Sequence, residues 1–346
     1  MKGFRILVGI CALVFLVSGC AGLVADEIEN AQLKTTFSKG SLEEFYKKIN
    51  VSTKSYCSKT TSFCTQYLLS TPSPTEPTDT NTASTSEYGL ELKTSMESGS
   101  KVVEKVLLLD EQLENQYQGT VLLLHGHGGD KHVWAITISY FHYLGFDAAA
   151  PDLPGHGEAN LQRSYGVTDA KEIADFISTE LKDAPRPLIV IGHSMGALAA
   201  VNAARISQAA DGVVLLAPMQ RFDKASLGVA QTFTPWLNML VPDSSIEAGA
   251  ELALTRSGVT MAQTDMLPTI PLLGVPTLVY GAQTDPVSNI SNEDGWRYPH
   301  VQRFVNDEES HISPVAVGQK EHEMFVDWFK NIPGIMNTAR QGSAHE

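Results

Sequence analysis

From residue 88 onward, short unbroken apolar runs alternate with longer stretches in which apolar residues recur at helical spacing. Thr120-Val121-Leu122-Leu123-Leu124 is apolar at nearly every position, which suits a strand covered on both faces rather than one with a wet side. Residues 146–150, 188–191, 213–216 and 277–280 repeat this pattern, and 88–92 and 102–109 predict antiparallel strands ahead of them. Helical spacing over 131–143, 167–181, 195–206 and 317–329 falls between and after these runs. Repeated strand-helix units predict an α/β domain over 88–335, with a mostly parallel central sheet and helices on both faces. The regularity lapses between Pro218 and Pro276 into an amphipathic, proline-punctuated insert carrying Phe222, Phe233, Trp236, Leu237, Met239 and Leu240. A helical lid over about 219–271 is expected there.

Upstream the texture differs. Ser41-Leu42-Glu43-Glu44 has the form of a helix-capping box and Phe45 continues an apolar stripe, so 20–70 reads as an N-terminal helical appendage. Residues 71–87, beginning Thr71-Pro72-Ser73-Pro74-Thr75, are nearly all Ser, Thr, Pro, Asn and acidic residues. Such a stretch cannot bury enough apolar area to offset the entropy of ordering and reads as a low-complexity linker. Residues 336–346 form a polar C-terminal tail.

At the N-terminus two positive charges, Lys2 and Arg5, precede an apolar run over 6–17 that is too short to span a bilayer. This is the form of an export signal over 1–19. It ends in Val17-Ser18-Gly19-Cys20, which resembles the lipobox of bacterial lipoproteins. That resemblance implies a diacylglyceryl group on Cys20, which starts the mature chain and anchors it to a membrane of the cell envelope without a transmembrane helix. Ala21 rather than Asp after the cysteine resembles lipoproteins sent to the outer membrane. An ordinary secretory signal with an incidental cysteine is the alternative. With Cys11 in the signal and Cys20 acylated, Cys57 and Cys64 remain for an oxidising compartment, where they are expected to pair; two free thiols are the other reading.

Composition narrows the function classes. A hydrophobic share of 43% and a charged share of 18% over 346 residues are those of a globular protein. A net charge of -14 disfavours nucleic acid, whose phosphates would be repelled.

Gly192-His193-Ser194-Met195-Gly196 follows the run at 188–191 and precedes an alanine-rich helical stretch. This strand-turn-helix setting is what a G-x-S-x-G nucleophile elbow requires. A serine hydroxyl needs a base and the base needs an orienting acid. His311 in Glu309-Ser310-His311-Ile312-Ser313 follows the strand-like segment 301–305, and Asp285 follows the run 277–280. Asp223, after the preceding strand, is the main rival for the acid, and Asp265 in the insert is less suited. The order Ser194, Asp285, His311 agrees with the order that a fold built on such an elbow imposes. His125-Gly126-His127-Gly128-Gly129 follows the strand at 120–124, where this fold supplies a second oxyanion-hole amide, so the backbone N–H groups of His127 and Met195 are assigned to that hole. No Lys-Ser or Lys-Thr follows this glycine-rich loop, which excludes a Walker-type phosphate site. His125 and His127 have no matching acid cluster, so neither a metal nor another cofactor is expected.

These motifs, together with Asp152-Leu153-Pro154-Gly155-His156-Gly157 and Asp285-Pro286-Val287, make the chain from about residue 88 onward resemble the α/β-hydrolase family, nearest its monoacylglycerol lipase and serine aminopeptidase-like branch. The resemblance implies that Asp152 and His156 belong to a structural loop. Family members usually carry a serine where Ala159 stands, and the oxyanion segment lacks the longer glycine run of one esterase subgroup. The expected function is cleavage of carboxylic esters through an acyl-serine intermediate, on lipid-type substrates such as monoacylglycerol or lysophospholipid. Peptidase or small-ester activity, and a noncatalytic hydrolase-like envelope binding protein, are the alternatives.

Overall fold

The computed structural model describes residues 20–32, 39–72, 89–235 and 239–337. The expected export signal, nearly all of the linker, Trp236, Leu237 and the tail beyond residue 337 lie outside the described residues. Among the described residues no helix is long and apolar enough to cross a membrane.

Six parallel strands form the centre of the sheet: β5 (Thr120–Leu124), β6 (Asp147–Pro151), β7 (Leu188–His193), β8 (Gly212–Leu216), β9 (Thr277–Gly281) and β10 (Val301–Val305), in the spatial order β6-β5-β7-β8-β9-β10. Side chains of β5 alternate between two cores: Leu122 and Leu124 enter one, Val121 and Leu123 the other. β7 and β8 divide in the same way, with Val190, Val213 and Leu215 on one face and Ile189, Ile191, Val214 and Leu216 on the other. Both faces are therefore dry, which is why these strands read as continuous apolar runs. Each fully buried Val, Leu or Ile contributes roughly 1.5–3 kcal/mol relative to exposure. One face is covered by α4 (Asp169–Thr179) and α5 (Met195–Ser207), the other by α3 (Ala135–Leu144) and α8 (Gln319–Phe329).

The segment from 20 to 70 departs from the helical appendage expected of it. Residues 20–30 (α1) and Lys39–Lys48 (α2) are helical, but Val51–Cys57 (β1) and Cys64–Ser70 (β2) form an antiparallel hairpin that joins the main sheet along β6. The cause lies past Asn50, where Val51, Thr53, Tyr56, Thr65 and Tyr67 supply the β-branched and aromatic residues that suit a pleated surface. The hairpin also covers an edge that β6 would otherwise leave unpaired. Cys57 and Cys64 face each other beside its connecting loop and are joined by a disulfide.

β3 (Leu90–Ser98) and β4 (Lys101–Leu109) pair only with each other, as a separate antiparallel ribbon. Leu92, Leu107 and Leu109 pin it to the α3 and α8 side of the core. Lys105, buried among them, reaches Glu309 at 3.0 Å and Glu321 at 3.2 Å and donates to the Ala316 carbonyl at 3.0 Å. Glu321 also accepts from the Tyr280 hydroxyl and from Gly318 N–H, and Glu309 from the Ser313 hydroxyl. One cation thus ties the ribbon, β9, α8 and the loop after β10 together. Between β8 and β9 lie α6 (Phe222–Phe233) and α7 (Asp243–Arg256), which pack on each other as the expected helical insert.

Lys105→Met should leave two buried carboxylates facing each other without a countercharge. Urea denaturation at neutral pH should show a loss of about 3–5 kcal/mol. A loss below about 1 kcal/mol would mean that the cluster relaxes or hydrates without cost.

Candidate active site

Ser194 sits between β7 and α5 with φ 53° and ψ -116°, a conformation that side-chain-bearing residues rarely adopt. Its amide is tied to the Leu216 carbonyl at 3.0 Å, in register with the β7–β8 ladder. Glycine is needed on either side of this turn. A Cβ on Gly192 would lie 2.1 Å from the Gly196 carbonyl oxygen, and one on Gly196 would lie 2.2 Å from the Leu124 carbonyl oxygen. The helix therefore starts pressed against β5 and β7, with Met195 in its first turn, where helix N–H groups have no intrahelical acceptor.

His311 and Asp285 arrive from the ends of β10 and β9. His311 Nε2 lies 2.9 Å from Ser194 Oγ, and His311 Nδ1 lies 2.7 Å from Asp285 Oδ2. With Nδ1–H donating to the carboxylate, Nε2 is free to accept the serine proton. The other Asp285 oxygen accepts from Val287 N–H at 2.9 Å. Burial alone would push the Asp285 carboxyl up, but His311 and the Val287 amide outweigh it and hold the group below the usual carboxylate range. Asp223, the rival acid, begins α6 and is occupied by a two-pronged contact with Arg221 at 2.8 and 2.6 Å. All three members of the serine, histidine and acid set are buried.

The loop carrying His311 is braced twice. Ser310 and Ser313 each accept from the other's backbone N–H, at 3.1 and 2.8 Å, and the Lys105 cluster holds Glu309 two residues before the histidine. A second brace comes from inside the elbow: His193 Nε2–H donates to the His311 carbonyl at 2.8 Å. Burial foremost, and His311 next, push His193 down to about 3, so it stays a neutral donor. Neither the hold of Lys105 on Glu309 nor that of His193 on His311 was legible, since the contacts join chain positions far apart.

The predicted oxyanion loop lies beside the elbow. Gly126 approaches so closely that a Cβ there would meet His193 Nδ1 at 2.9 Å and Ser194 Cβ at 3.3 Å. His125 holds the inner side of the loop: its Nδ1–H donates to Gly126 O at 2.8 Å while its Nε2 accepts from Leu153 N–H at 3.0 Å. Burial lowers the pKa of His125, in keeping with this neutral tautomer. Asp152, fully buried, accepts from Lys131 N–H at 2.7 Å, Lys131 Nζ at 2.7 Å and Glu158 N–H at 2.9 Å, and so fastens the loop after β6 to the one after β5. His156 packs edge-on against the rings of His125 and His127 and donates through Nδ1 to Pro154 O at 3.0 Å. Among the described residues no group of three or more His, Cys, Asp or Glu is arranged to hold a metal ion. Phe222 packs on Tyr165 at 4.6 Å between ring centres and on His127 at 6.5 Å, walling this side of the site.

A family model described as alpha/beta hydrolase family matches residues 121–323, more than half of the chain. A bovine (Bos taurus) protein, protein phosphatase methylesterase 1, is 36% identical over 88 residues, an alignment spanning 24% of this chain and 23% of that protein. The chain therefore spans about a quarter of the length of this relative. Among solved structures, the esterase Pf2001 of Pyrococcus furiosus matches with a TM-score of 0.56 and 14% identity over 88% of this chain and 99% of that one. A membrane phospholipase A described as a bacterial virulence factor matches with a TM-score of 0.54 and 17% identity over 95% and 98%. Matched over most of its sheet by that family model, and sharing the architecture of these structures, the chain belongs to the alpha/beta hydrolase family.

Proposed function

We propose that this protein is a serine hydrolase that cleaves carboxylic esters through an acyl-serine intermediate, acting on monoacylglycerols, lysophospholipids and similar acyl esters from a lipid anchor in the bacterial cell envelope. The observation that carries the reading is the run of two hydrogen bonds, Ser194 to His311 and His311 to Asp285, built on a strained turn. In the first step Ser194 Oγ attacks the ester carbonyl carbon while its proton passes to His311 Nε2. The carbonyl oxygen becomes an oxyanion facing the backbone N–H groups of His127 and Met195, the latter at the positive end of α5. Collapse breaks the bond to the alkoxide, which leaves as alcohol with the proton from Nε2. A water then gives its proton to the same nitrogen as it attacks the acyl carbon; the bond from that carbon to Ser194 Oγ breaks, Oγ takes the proton back from Nε2, and the acid departs. Asp285, an anion over the working pH range, keeps Nδ1–H oriented throughout and stabilises the imidazolium.

Three features support a lipid-type substrate at a membrane. Met239 and Leu240, in the insert ahead of α7, and Leu23, on the α1 that packs against α7, are exposed apolar residues. Cys20, the lipobox cysteine, is partly exposed at the start of the described chain. Three of the similar proteins are named a methylesterase, an esterase and a membrane phospholipase A, names of ester-cleaving proteins. The likeness to a monoacylglycerol lipase and serine aminopeptidase-like branch adds to the same reading. Ala21 after Cys20 favours the outer membrane.

Ser194→Ala should lower kcat on a soluble aryl ester by roughly 10^6-fold. Asp285→Asn should lower it by about 10^4-fold while Asp223→Asn stays near native. Full activity in Asp285→Asn with a collapse in Asp223→Asn would move the acid. Rates across p-nitrophenyl esters from acetyl to dodecanoyl, and on monoacylglycerol and lysophospholipid, should rise toward the longer chains; a flat preference for acetyl or butyryl would remove the lipid substrate. Metabolic labelling with radioactive palmitate should mark the native chain and not Cys20→Ser. Equal labelling of both would refute the anchor.

A further inference from the structure

The segment that leads away from Cys20 does not hang free. Ala25 on α1 is fully buried and Ala21 nearly so. α1 lies so close to α7 that a Cβ on Gly249 would fall 2.5 Å from Val24 Cγ1 and 3.0 Å from the Ala21 carbonyl oxygen. Arg256, at the end of α7, pairs with Asp26 at 2.7 Å and Glu29 at 3.1 Å. The last turn then meets the loop after β5. His127 Nε2–H donates to the Ile28 carbonyl at 2.8 Å. The same carbonyl accepts from Arg163 Nη1 at 3.2 Å, while Arg163 Nη2 donates to Ala31 O at 2.8 Å and Arg163 Nε to Gly155 O at 3.0 Å. Ala31 also lies over Gly128, whose φ of +74° makes the loop turn away from His127.

The loop is thus fastened on two sides. His125 ties its inner side to the loop after β6, and α1 ties its outer side through His127. We propose that residues 21–31 are a working part of the active site: the Ile28 carbonyl fixes the His127 imidazole, and with it the backbone amide of His127 that meets the oxyanion. His127 is then a positioning residue through its side chain as well as an oxyanion donor through its amide, and Arg163 holds the carbonyl that positions it. The inference rests on the ester-hydrolase reading and adds that the chain just after the anchor cysteine sets the geometry of the transition-state site. A shift of about 1 Å in such a donor is enough to cost on the order of 10²-fold in rate, whereas a segment serving only as a tether would leave kcat untouched.

The test uses the full chain. Asp26→Arg with Glu29→Arg puts like charge against Arg256 at one exposed and one half-buried position, both outside the core. On p-nitrophenyl butyrate this pair should lower kcat about tenfold with KM within about twofold, and adding Arg256→Glu should restore it. His127→Leu should lower kcat about tenfold to a hundredfold, His127→Gln, which keeps an N–H to offer Ile28, should recover most of the loss, and adding Asp26→Arg and Glu29→Arg to His127→Leu should lower kcat no further. Native kcat in His127→Leu, no rescue by charge exchange, or losses that multiply would overturn the brace. Imidazole nitrogen NMR reads the contact apart from turnover: His127 Nε2–H should be protected in the native protein and exchange freely in the charge-reversed pair. Native protein that hydrolyses no ester yet keeps that protection would refute the ester-hydrolase reading and with it the catalytic role of the contact, while a native protein that is active but shows His127 Nε2–H unprotected would refute the brace alone.

Discussion

At Ser194 the backbone turns from the central strand into a helix with φ 53° and ψ -116°, and the two glycines beside it have no room for a Cβ. Such a residue costs of order 1–3 kcal/mol and persists only when its surroundings leave it no other shape. Here the surroundings are β7, paired on both sides, and an α5 whose residues from Met195 to Val201 are all buried. Close packing at Gly196 against Leu124 fixes the distance from the elbow to the loop after β5, and the strand ladder fixes its height above β8, β9 and β10. Every chemical group in the site is placed relative to that turn.

Placement of the remaining groups is largely electrostatic. Parallel strands deliver loops to the same edge of the sheet, but a loop alone does not hold a side chain to a fraction of an ångström. Asp152 with Lys131 secures the loops after β5 and β6, and Lys105 with Glu309 and Glu321 secures the histidine loop against the ribbon and α8. These are buried charges with several hydrogen bonds each, the kind whose half-removal is costly. His193, kept neutral by burial, adds a donor where a second cation beside His311 would oppose protonation of that imidazole. The stability of the domain and the geometry of the site therefore share the same interactions.

Most parallel strands and helices were legible in the sequence because both-face burial writes unbroken apolar runs; Ser194 and Asp285 each follow such a run, and His311 follows the less regular strand Val301–Val305. Local pattern failed where the structure depends on pairing at a distance. β1 and β2 carry weak, polar alternation and take their meaning from the open edge of β6, so the helical reading of this segment was carried too far along the chain; Ser41, expected to cap, lies inside a helix that begins at Lys39. Lys105 reads as one more charge on an amphipathic strand until Glu309 and Glu321 are brought to it across more than two hundred residues. Ile28 meets His127 through its carbonyl, which no side-chain pattern can announce. Asp223 and Asp285 both follow strands; only the folded chain, with His311 on Asp285 and Arg221 on Asp223, tells them apart.

Since the whole reading depends on Ser194 being an activated nucleophile, the most direct measurement is intact-mass analysis after exposure to a fluorophosphonate. The folded native protein should gain a single phosphonyl adduct, located on the peptide containing Ser194, and Ser194→Ala should gain none. Native protein of confirmed fold that stays unlabelled, or an adduct that survives in Ser194→Ala, would contradict it.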